Sequence, residues 1–241
     1  MTIQHSNLRD PFSGQSIFRK FLEFYAFKIF GKLRRVARLV EKLGVNANYS
    51  LWIDSKFGGV TKYKKREEVW MCLVNRISPN KKTVLLEFGV AQGYSTNWWR
   101  NRLDEENVTY EIYGFDLFTG LPRSWRSAAA GEFNNGGRAP VIDSPNVHFV
   151  IGDVLSTFDT KFLEKFKRDE IQLVVLFDLD LYEPTVFVYS LLDEYLQKGD
   201  LVWFDEAFDS DERRVLDEWN FGPNRVEVVG CTALGIGFWV L

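Results

Sequence analysis

One apolar run of the chain passes directly into acidic residues. The segment LVVLFDLDLYEPT, residues 173–185, begins with five apolar positions and then places Asp178 and Asp180 two positions apart. Apolar runs without polar alternation are typical of strands covered on both faces, as in a parallel sheet flanked by helices. Because such sheets place their chemistry outside the carboxyl ends of the strands, both aspartates are candidates for metal ligation or proton transfer. One of them could instead cap a helix that begins near Pro184, which leaves the other unexplained.

Strand-like and helix-like segments alternate along most of the chain. The strand candidates are TVLLEFG (83–89), TYEIYGFD (109–116), VHFVIGD (147–153), IQLVVLFD (171–178) and DLVWFDE (200–206). Helices are predicted at 61–77, 94–104, 159–168, 184–197 and 209–219. This alternation predicts an α/β fold with a doubly wound, Rossmann-like and mostly parallel sheet. The final segments NRVEVVG and GIGFWVL have no helix between them and predict a C-terminal antiparallel hairpin.

Two segments fall outside this alternation. Residues 1–60 are predicted to form a basic amphipathic helical extension, which leaves 61–241 as the α/β domain. Residues 127–140 are rich in Gly, Asn and Ala and predict a mobile loop or lid.

Composition favours one sizeable globular core with an extension. The 241 residues are 46% hydrophobic and 26% charged. No apolar run reaches the length of a membrane span, and residues 1–14 lack the apolar core of a signal peptide. Cys72 and Cys231 have no metal-binding or redox spacing. These features predict a soluble, cytoplasmic protein.

The net charge of −3 is distributed unevenly. Residues 15–44 hold eight Lys or Arg against Glu23 and Glu41, a balance of +6, which leaves −9 for the remainder. This segment could pack on the main domain, pair with a second copy in a homodimer, or make weak contact with an anionic membrane surface. Packing or dimerisation is the first expectation, because amphipathic helices usually face a core. Nucleic acid is not an expected partner, since the basic stretch is short and the rest is acidic.

The segment LLEFGVAQGYS places glycines where a strand meets a helix. Gly89 and Gly93 would let the backbone approach a ligand closely, and Glu87 precedes them. Three residues separate the glycines, so the segment is not the dinucleotide fingerprint of nicotinamide enzymes. A plain strand-to-helix turn would look similar.

The next two strand ends also carry acids. Asp116 ends YGFD, where it could accept hydrogen bonds from ribose hydroxyls, and Asp153 ends VIGD, where it could accept from an adenine amino group. Each could be an ordinary cap. Three successive strand ends with matching chemistry favour a nucleoside-like ligand.

In these strand-end residues the sequence resembles the class I S-adenosylmethionine-dependent methyltransferases. More narrowly, it resembles the macrocin O-methyltransferase (TylF-type) family, which methylates sugar hydroxyls of natural products. The resemblance covers about residues 60–206 and is carried by EFGVAQGYS, GFDLFTGLP, DLDLYEPT and GDLVWFDE. It implies that 61–241 is the methyltransferase domain and that the partner is a small-molecule hydroxyl acceptor. The cofactor-binding residues that it implies are Glu87, Gly89, Gly93, Ser95, Asp116, Asp153 and Val154.

The same resemblance implies a divalent cation, Mg²⁺, held by Asp178, Asp205 and Glu206, with Asp180 as the general base. The division is chemically sensible, because carboxylates suit Mg²⁺ and the cation lowers the pKa of a bound hydroxyl. The sequence departs from the family pattern at Glu206, where aspartate is more frequent. It departs from the wider superfamily at Ala91, where glycine is frequent.

Two alternatives remain open from the residues alone. The Asp-x-Asp pair with a later acidic pair is also typical of haloacid-dehalogenase-like phosphohydrolases, with Asp178 as nucleophile and Asp180 as acid/base. In those enzymes the pair comes early in the chain, whereas here it comes late, and the glycine turn would have no role. A non-catalytic interaction protein of the same fold would retain its function when Asp178 is substituted.

Overall fold

A computed structural model describes residues 17–30, 33–126, 128–218 and 221–241. Within it, the chain divides into two compact units with the boundary between Val45 and Asn46. The predicted domain boundary at residue 60 stays a prediction.

The first unit contains α1 (Ile17–Phe30) and the first half of α2 (Arg34–Phe57). Large apolar side chains of α1, such as Phe18 and Phe27, are exposed. The predictions that this segment packs, dimerises or contacts a membrane surface stay predictions, and part of the segment lies outside the described residues. No helix in the described ranges is long and apolar enough to cross a bilayer.

The second unit is built around a sheet of seven strands. Its elements after α2 are α3 (Arg66–Val74), β1 (Lys82–Phe88), α4 (Tyr94–Glu105), β2 (Tyr110–Asp116), β3 (Val147–Ile151), α5 (Val154–Thr157), α6 (Thr160–Leu163), β4 (Ile171–Phe177), α7 (Tyr182–Leu192), β5 (Leu201–Phe204), α8 (Ser210–Glu218), β6 (Val226–Cys231) and β7 (Ile236–Val240). The strand order is β3-β2-β1-β4-β5-β7-β6. The first five strands are parallel, and β7 runs antiparallel to both β5 and β6. The predicted fold class, including the C-terminal hairpin, is confirmed.

Three predicted helices are clearly shorter in the structure. The helix predicted at 184–197 is α7, which ends at Leu192. The helix predicted at 61–77 is α3, which begins only at Arg66, because the backbone before it pairs with the sheet edge: Cys231 N–H donates to the carbonyl of Thr61 at 3.1 Å. The helix predicted at 159–168 is the single turn α6. Asp159 caps this turn by accepting a hydrogen bond from the N–H of Phe162 at 2.9 Å.

Aromatic residues fill both faces of the sheet and fix where its strand ends lie. On one face the rings of Phe88, Phe177 and Phe204, from β1, β4 and β5, stack in a row. On the other face Trp70 of α3 packs against Trp203 of β5. Every residue of β4 is buried, in agreement with its apolar run. The carboxyl ends of these strands therefore form a rigid rim for the site.

Candidate functional site

A cavity of about 720 Å³ opens at the carboxyl ends of the parallel strands. It lies where the strand order reverses, between β1 and β4, which is where ligands bind in open α/β sheets. Eight of the eleven site residues predicted from the sequence line this cavity: Gly89, Asp116, Asp153, Val154, Asp178, Asp180, Asp205 and Glu206.

The other three predicted residues lie behind the lining. Glu87 is buried and accepts hydrogen bonds from the hydroxyls of Ser95 and Thr96. Burial raises the pKa of Glu87 to about 7, against the two hydroxyl donors, which favour the charged form. Glu87 therefore joins the end of β1 to the first turn of α4. Thr96 was missed because a threonine inside a helix has no distinguishing sequence signal.

The two glycines of the turn meet different neighbours. Gly89 has φ +90°, and a Cβ there would lie 1.8 Å from the carbonyl oxygen of Asp178. Only glycine allows the ends of β1 and β4 to approach so closely. Gly93 has φ +78°, and a Cβ there would lie 2.8 Å from Cγ of Pro140, so Gly93 packs against the loop before β3.

Asp116 organises the turn after β1 through backbone donors. Its Oδ2 accepts from the N–H groups of Val90 at 2.8 Å and Ala91 at 2.7 Å, and its Oδ1 accepts from Phe118 N–H at 2.6 Å. Ala91 has φ +48°, which explains why glycine is frequent at this position. Oδ2 thus accepts two hydrogen bonds, whereas Oδ1 accepts one from the described residues and has a second lone pair, so Asp116 retains acceptor capacity.

Asp153 is engaged in a similar way at the end of β3. Its Oδ1 accepts from Leu155 N–H at 3.0 Å and so begins α5. Asp153 is the cap that the sequence analysis allowed, and it also lines the cavity beside Val154. None of the described residues donates a hydrogen bond to its Oδ2, which is therefore available as an acceptor.

Three further carboxylates meet at the ends of β4 and β5. Asp178, Asp205 and Glu206 each place one oxygen within 4.8 Å of the others, close enough to share one cation. Burial, followed by the charges of Asp205 and Asp180, raises the pKa of Asp178 well above its usual value. Asp205 forms an ion pair, in which its Oδ2 accepts from Arg66 Nη1 at 2.9 Å.

Glu212 of α8 adds a fourth carboxylate that the sequence analysis missed. It is fully buried, and its Oε2 accepts from the backbone N–H of Glu206 at 3.0 Å. Two carboxylate oxygens, Oε1 of Glu212 and Oε2 of Glu206, are buried without a hydrogen-bond partner among the described residues. Burying a carboxylate oxygen without a partner costs free energy, so these oxygens are suited to ligate a cation. In the sequence, Glu212 looked like an ordinary acid in the first turn of a helix.

Asp180 lies beside this acidic cluster in an unusual backbone conformation. Its φ is +62°, a region that non-glycine residues rarely adopt and that is frequent at functional sites. Only 8% of the residue is exposed. Burial, with the charges of Asp205 and Asp209, raises the pKa of Asp180 to about 7.

The segment that contains the predicted lid lies between β2 and β3 and borders the cavity. Its described residues form no helix or strand beyond a bridge between Trp125 and Ala128. Arg126 Nη1 donates to Oδ2 of Asp209 at 2.7 Å and so ties the segment to the residue before α8. Trp125 lines the cavity as well.

The chain is similar in sequence to one protein family and in structure to several solved proteins. A protein family described as a methyltransferase domain matches residues 86–207, just over half of the chain. The calicheamicin methyltransferase CalS11 is similar in structure, with 23% identity over 68% of this chain and 74% of its own, and a TM-score of 0.51. The O-methyltransferase NovP is similar with 20% identity over 72% of this chain and 78% of its own, and a TM-score of 0.52. No curated protein sequence matches the chain.

Proposed function

We propose that this chain, which belongs to the methyltransferase domain family, transfers the methyl group of S-adenosylmethionine to a hydroxyl of a sugar or a glycosylated small molecule. Its use of S-adenosylmethionine follows from the family and from the fold that it shares with methyltransferases. The oxygen acceptor, its sugar character and the involvement of Mg²⁺ are the proposal. One observation carries it: four acids at the ends of β4 and β5 share a cavity with the acids at the ends of β2 and β3.

The cofactor would occupy the half of the cavity formed by β1, β2 and β3. Asp116 would accept hydrogen bonds from the ribose hydroxyls, and Asp153 would accept one from the adenine amino group. The methionyl part would lie against Gly89, whose lack of a Cβ lets the ends of β1 and β4 approach each other. Glu87, Gly93 and Ser95 would act by holding the turn in place.

The acceptor would occupy the half formed by the ends of β4 and β5. Asp178, Asp205 and Glu206 would hold Mg²⁺, which when bound lowers the pKa of an acceptor hydroxyl. Asp180 would take the hydroxyl proton as the oxygen attacks the methyl carbon. The carbon–sulfur bond would break as the oxygen–carbon bond forms, so that the sulfonium would leave as the neutral thioether of S-adenosylhomocysteine. The proton ends on Asp180, so charge and atoms balance.

The narrower TylF-type assignment rests on the segments DLDLYEPT and GDLVWFDE. Five of the six acidic residues of these segments line one cavity, including Asp178, Asp180, Asp205 and Glu206, which supports the roles proposed for these four. The phosphohydrolase alternative loses its basis, because the family match is to methyltransferases and includes the glycine turn.

The proposal is tested by supplying S-adenosylmethionine labelled in its methyl group. Sugars, nucleotide sugars, glycosides and phenols are offered in parallel, with and without a chelator, and the products are identified by mass spectrometry. We expect label on a hydroxyl of a glycosylated compound and loss of transfer in chelator. Label that enters only protein or nucleic acid would refute the small-molecule acceptor. Glycoside methylation that continues fully in chelator would refute the metal alone.

A further inference from the structure

Helix α1 presents an apolar stripe to its surroundings. Large apolar side chains recur along it three or four positions apart, and each is between 44% and 70% exposed: Phe18, Phe21, Leu22, Tyr25 and Ile29. Arg19 and Glu23 lie away from the stripe and pair with each other. An amphipathic helix normally covers such a stripe with a partner surface, and the described part of the chain leaves this one uncovered.

Two further aromatic side chains make the apolar surface of α1 unusually wide. Phe24 and Phe27 flank the stripe and are exposed as well. At about 100° per residue, the arc from Phe27 to Leu22 covers roughly 220° of the helix. A helix that packs on one partner needs an apolar face of only about 100°, whereas a lipid phase can cover a wider arc. Lys28 interrupts the arc, and its long stem allows the ammonium to reach a polar headgroup.

The length of α1 suits a position along a bilayer surface. Its 14 residues span about 21 Å, whereas the hydrocarbon core of a bilayer is roughly 30 Å thick. Phenylalanine and leucine are the side chains with which interfacial helices enter the boundary between headgroups and acyl chains. The helix is therefore the right size and composition to lie in that boundary.

The first half of α2 separates cations from apolar side chains. Arg35, Arg38 and Lys42 follow one side of the helix at spacings of three and four, and all three are exposed. Glu41 is the one acid between residues 34 and 45 of the sequence. The apolar side chains of the other side are also exposed: Val36, Leu39, Val40 and Leu43. A cationic face opposite an apolar face is typical of helices that lie on anionic membranes.

The charge of this region favours an anionic surface over a second copy of the chain. Residues 15–44 carry a balance of +6, so a dimer formed through them would bring two such charges together. Anionic lipids attract the same residues. We propose that α1 and the first half of α2 bind the surface of a membrane that contains anionic lipids. This inference goes beyond the proposed function and is independent of which acceptor is methylated.

Flotation of the full chain with lipid vesicles tests the proposal. One set of vesicles contains phosphatidylcholine alone, and the other contains one part of phosphatidylglycerol to two parts of phosphatidylcholine. We expect binding to the mixed vesicles, at least about tenfold tighter than to the neutral ones. The combined variant Arg35→Gln, Arg38→Gln and Lys42→Gln should weaken binding to the mixed vesicles about 100-fold, because each cation near the surface contributes about fivefold.

The apolar side chains are tested separately. Phe18→Ser combined with Phe21→Ser should weaken binding to the mixed vesicles by at least about tenfold, because burial of the two rings in the bilayer is lost. The same variant separates lipid from a second copy, through sedimentation velocity without lipid. We expect the wild type and this variant to sediment alike.

The matched control combines Lys161→Gln, Lys165→Gln and Lys167→Gln, which removes three exposed lysines from a segment of similar length in the second unit. We expect it to bind vesicles like the wild type. The proposal is overturned if the wild type does not bind the mixed vesicles, or if the triple α2 variant binds them equally well. It is also overturned if the wild type is a dimer that Phe18→Ser with Phe21→Ser dissociates, since a second copy would then cover the apolar surface. Thermal melts confirm that each variant is folded.

Discussion

Carboxylates occupy both halves of the cavity, but their hydrogen bonding differs between the two halves. At the ends of β2 and β3, Asp116 and Asp153 accept hydrogen bonds from backbone N–H groups. At the ends of β4 and β5, buried oxygens of Glu206 and Glu212 have no partner among the described residues. Backbone N–H donors satisfy carboxylate oxygens in the first half, whereas the crowded carboxylates of the second half need protons or a cation. The comparison indicates that the first half suits a nucleoside and the second half suits a metal ion.

The largest expected effect comes from Asp180. Asp180→Asn should lower turnover by roughly 10²- to 10⁴-fold, the usual contribution of a positioned base, while cofactor and metal affinity are retained. Turnover is measured with the acceptor found in the label-transfer screen, and the affinities are measured by calorimetry. Asp217→Asn is the control and should keep normal turnover, because the Asp217 carboxylate accepts from Trp52 Nε1 and does not line the cavity. Normal turnover in Asp180→Asn would remove this residue as the base.

The next effect contrasts the two halves through the stability of the metal-free protein. In chelator at pH 8, Asp116→Asn should destabilise the fold by about 1 to 3 kcal/mol, because backbone donors lose a charged acceptor. Asp178→Asn should instead leave stability unchanged or raise it, since it removes a charge from a crowded cluster. Denaturant titrations measure both variants. Equal destabilisation would contradict the distinction between the halves.

The alternation of strands and helices predicted the fold because each buried strand carries its own apolar pattern. The same logic brought Asp178, Asp205 and Asp116 to one rim, since the carboxyl ends of parallel strands meet there. Arg66 and Glu212 could not be predicted in this way. Both lie on helices rather than at strand ends. In α8, Glu212 lies three and four positions before the buried Val215 and Leu216, so the spacing places it on the inward face, but its contact with Glu206 depends on tertiary packing.

A smaller effect concerns Glu87, the buried acid behind the first half. Because its folded-state pKa is raised from 4.5 to about 7, its contribution to stability is fully present below about pH 4.5 and is lost as the pH rises toward 7. Glu87→Gln does not titrate. Relative to the wild type it should therefore gain stability between pH 5 and pH 8, by at most about 3 kcal/mol. Denaturant titrations at several pH values measure this difference, and a difference independent of pH would contradict the raised pKa.

The central claim, that the acids after β4 and β5 form the metal-binding half, is tested most directly by titrating Mg²⁺ into the protein saturated with S-adenosylhomocysteine. Calorimetry should detect one site in the wild type, weakened by roughly tenfold or more in Asp178→Asn and Asp205→Asn. Asp116→Asn, examined under the same cofactor saturation, should bind Mg²⁺ like the wild type. An absence of Mg²⁺ binding, or an affinity that Asp178→Asn leaves unchanged, would contradict the account.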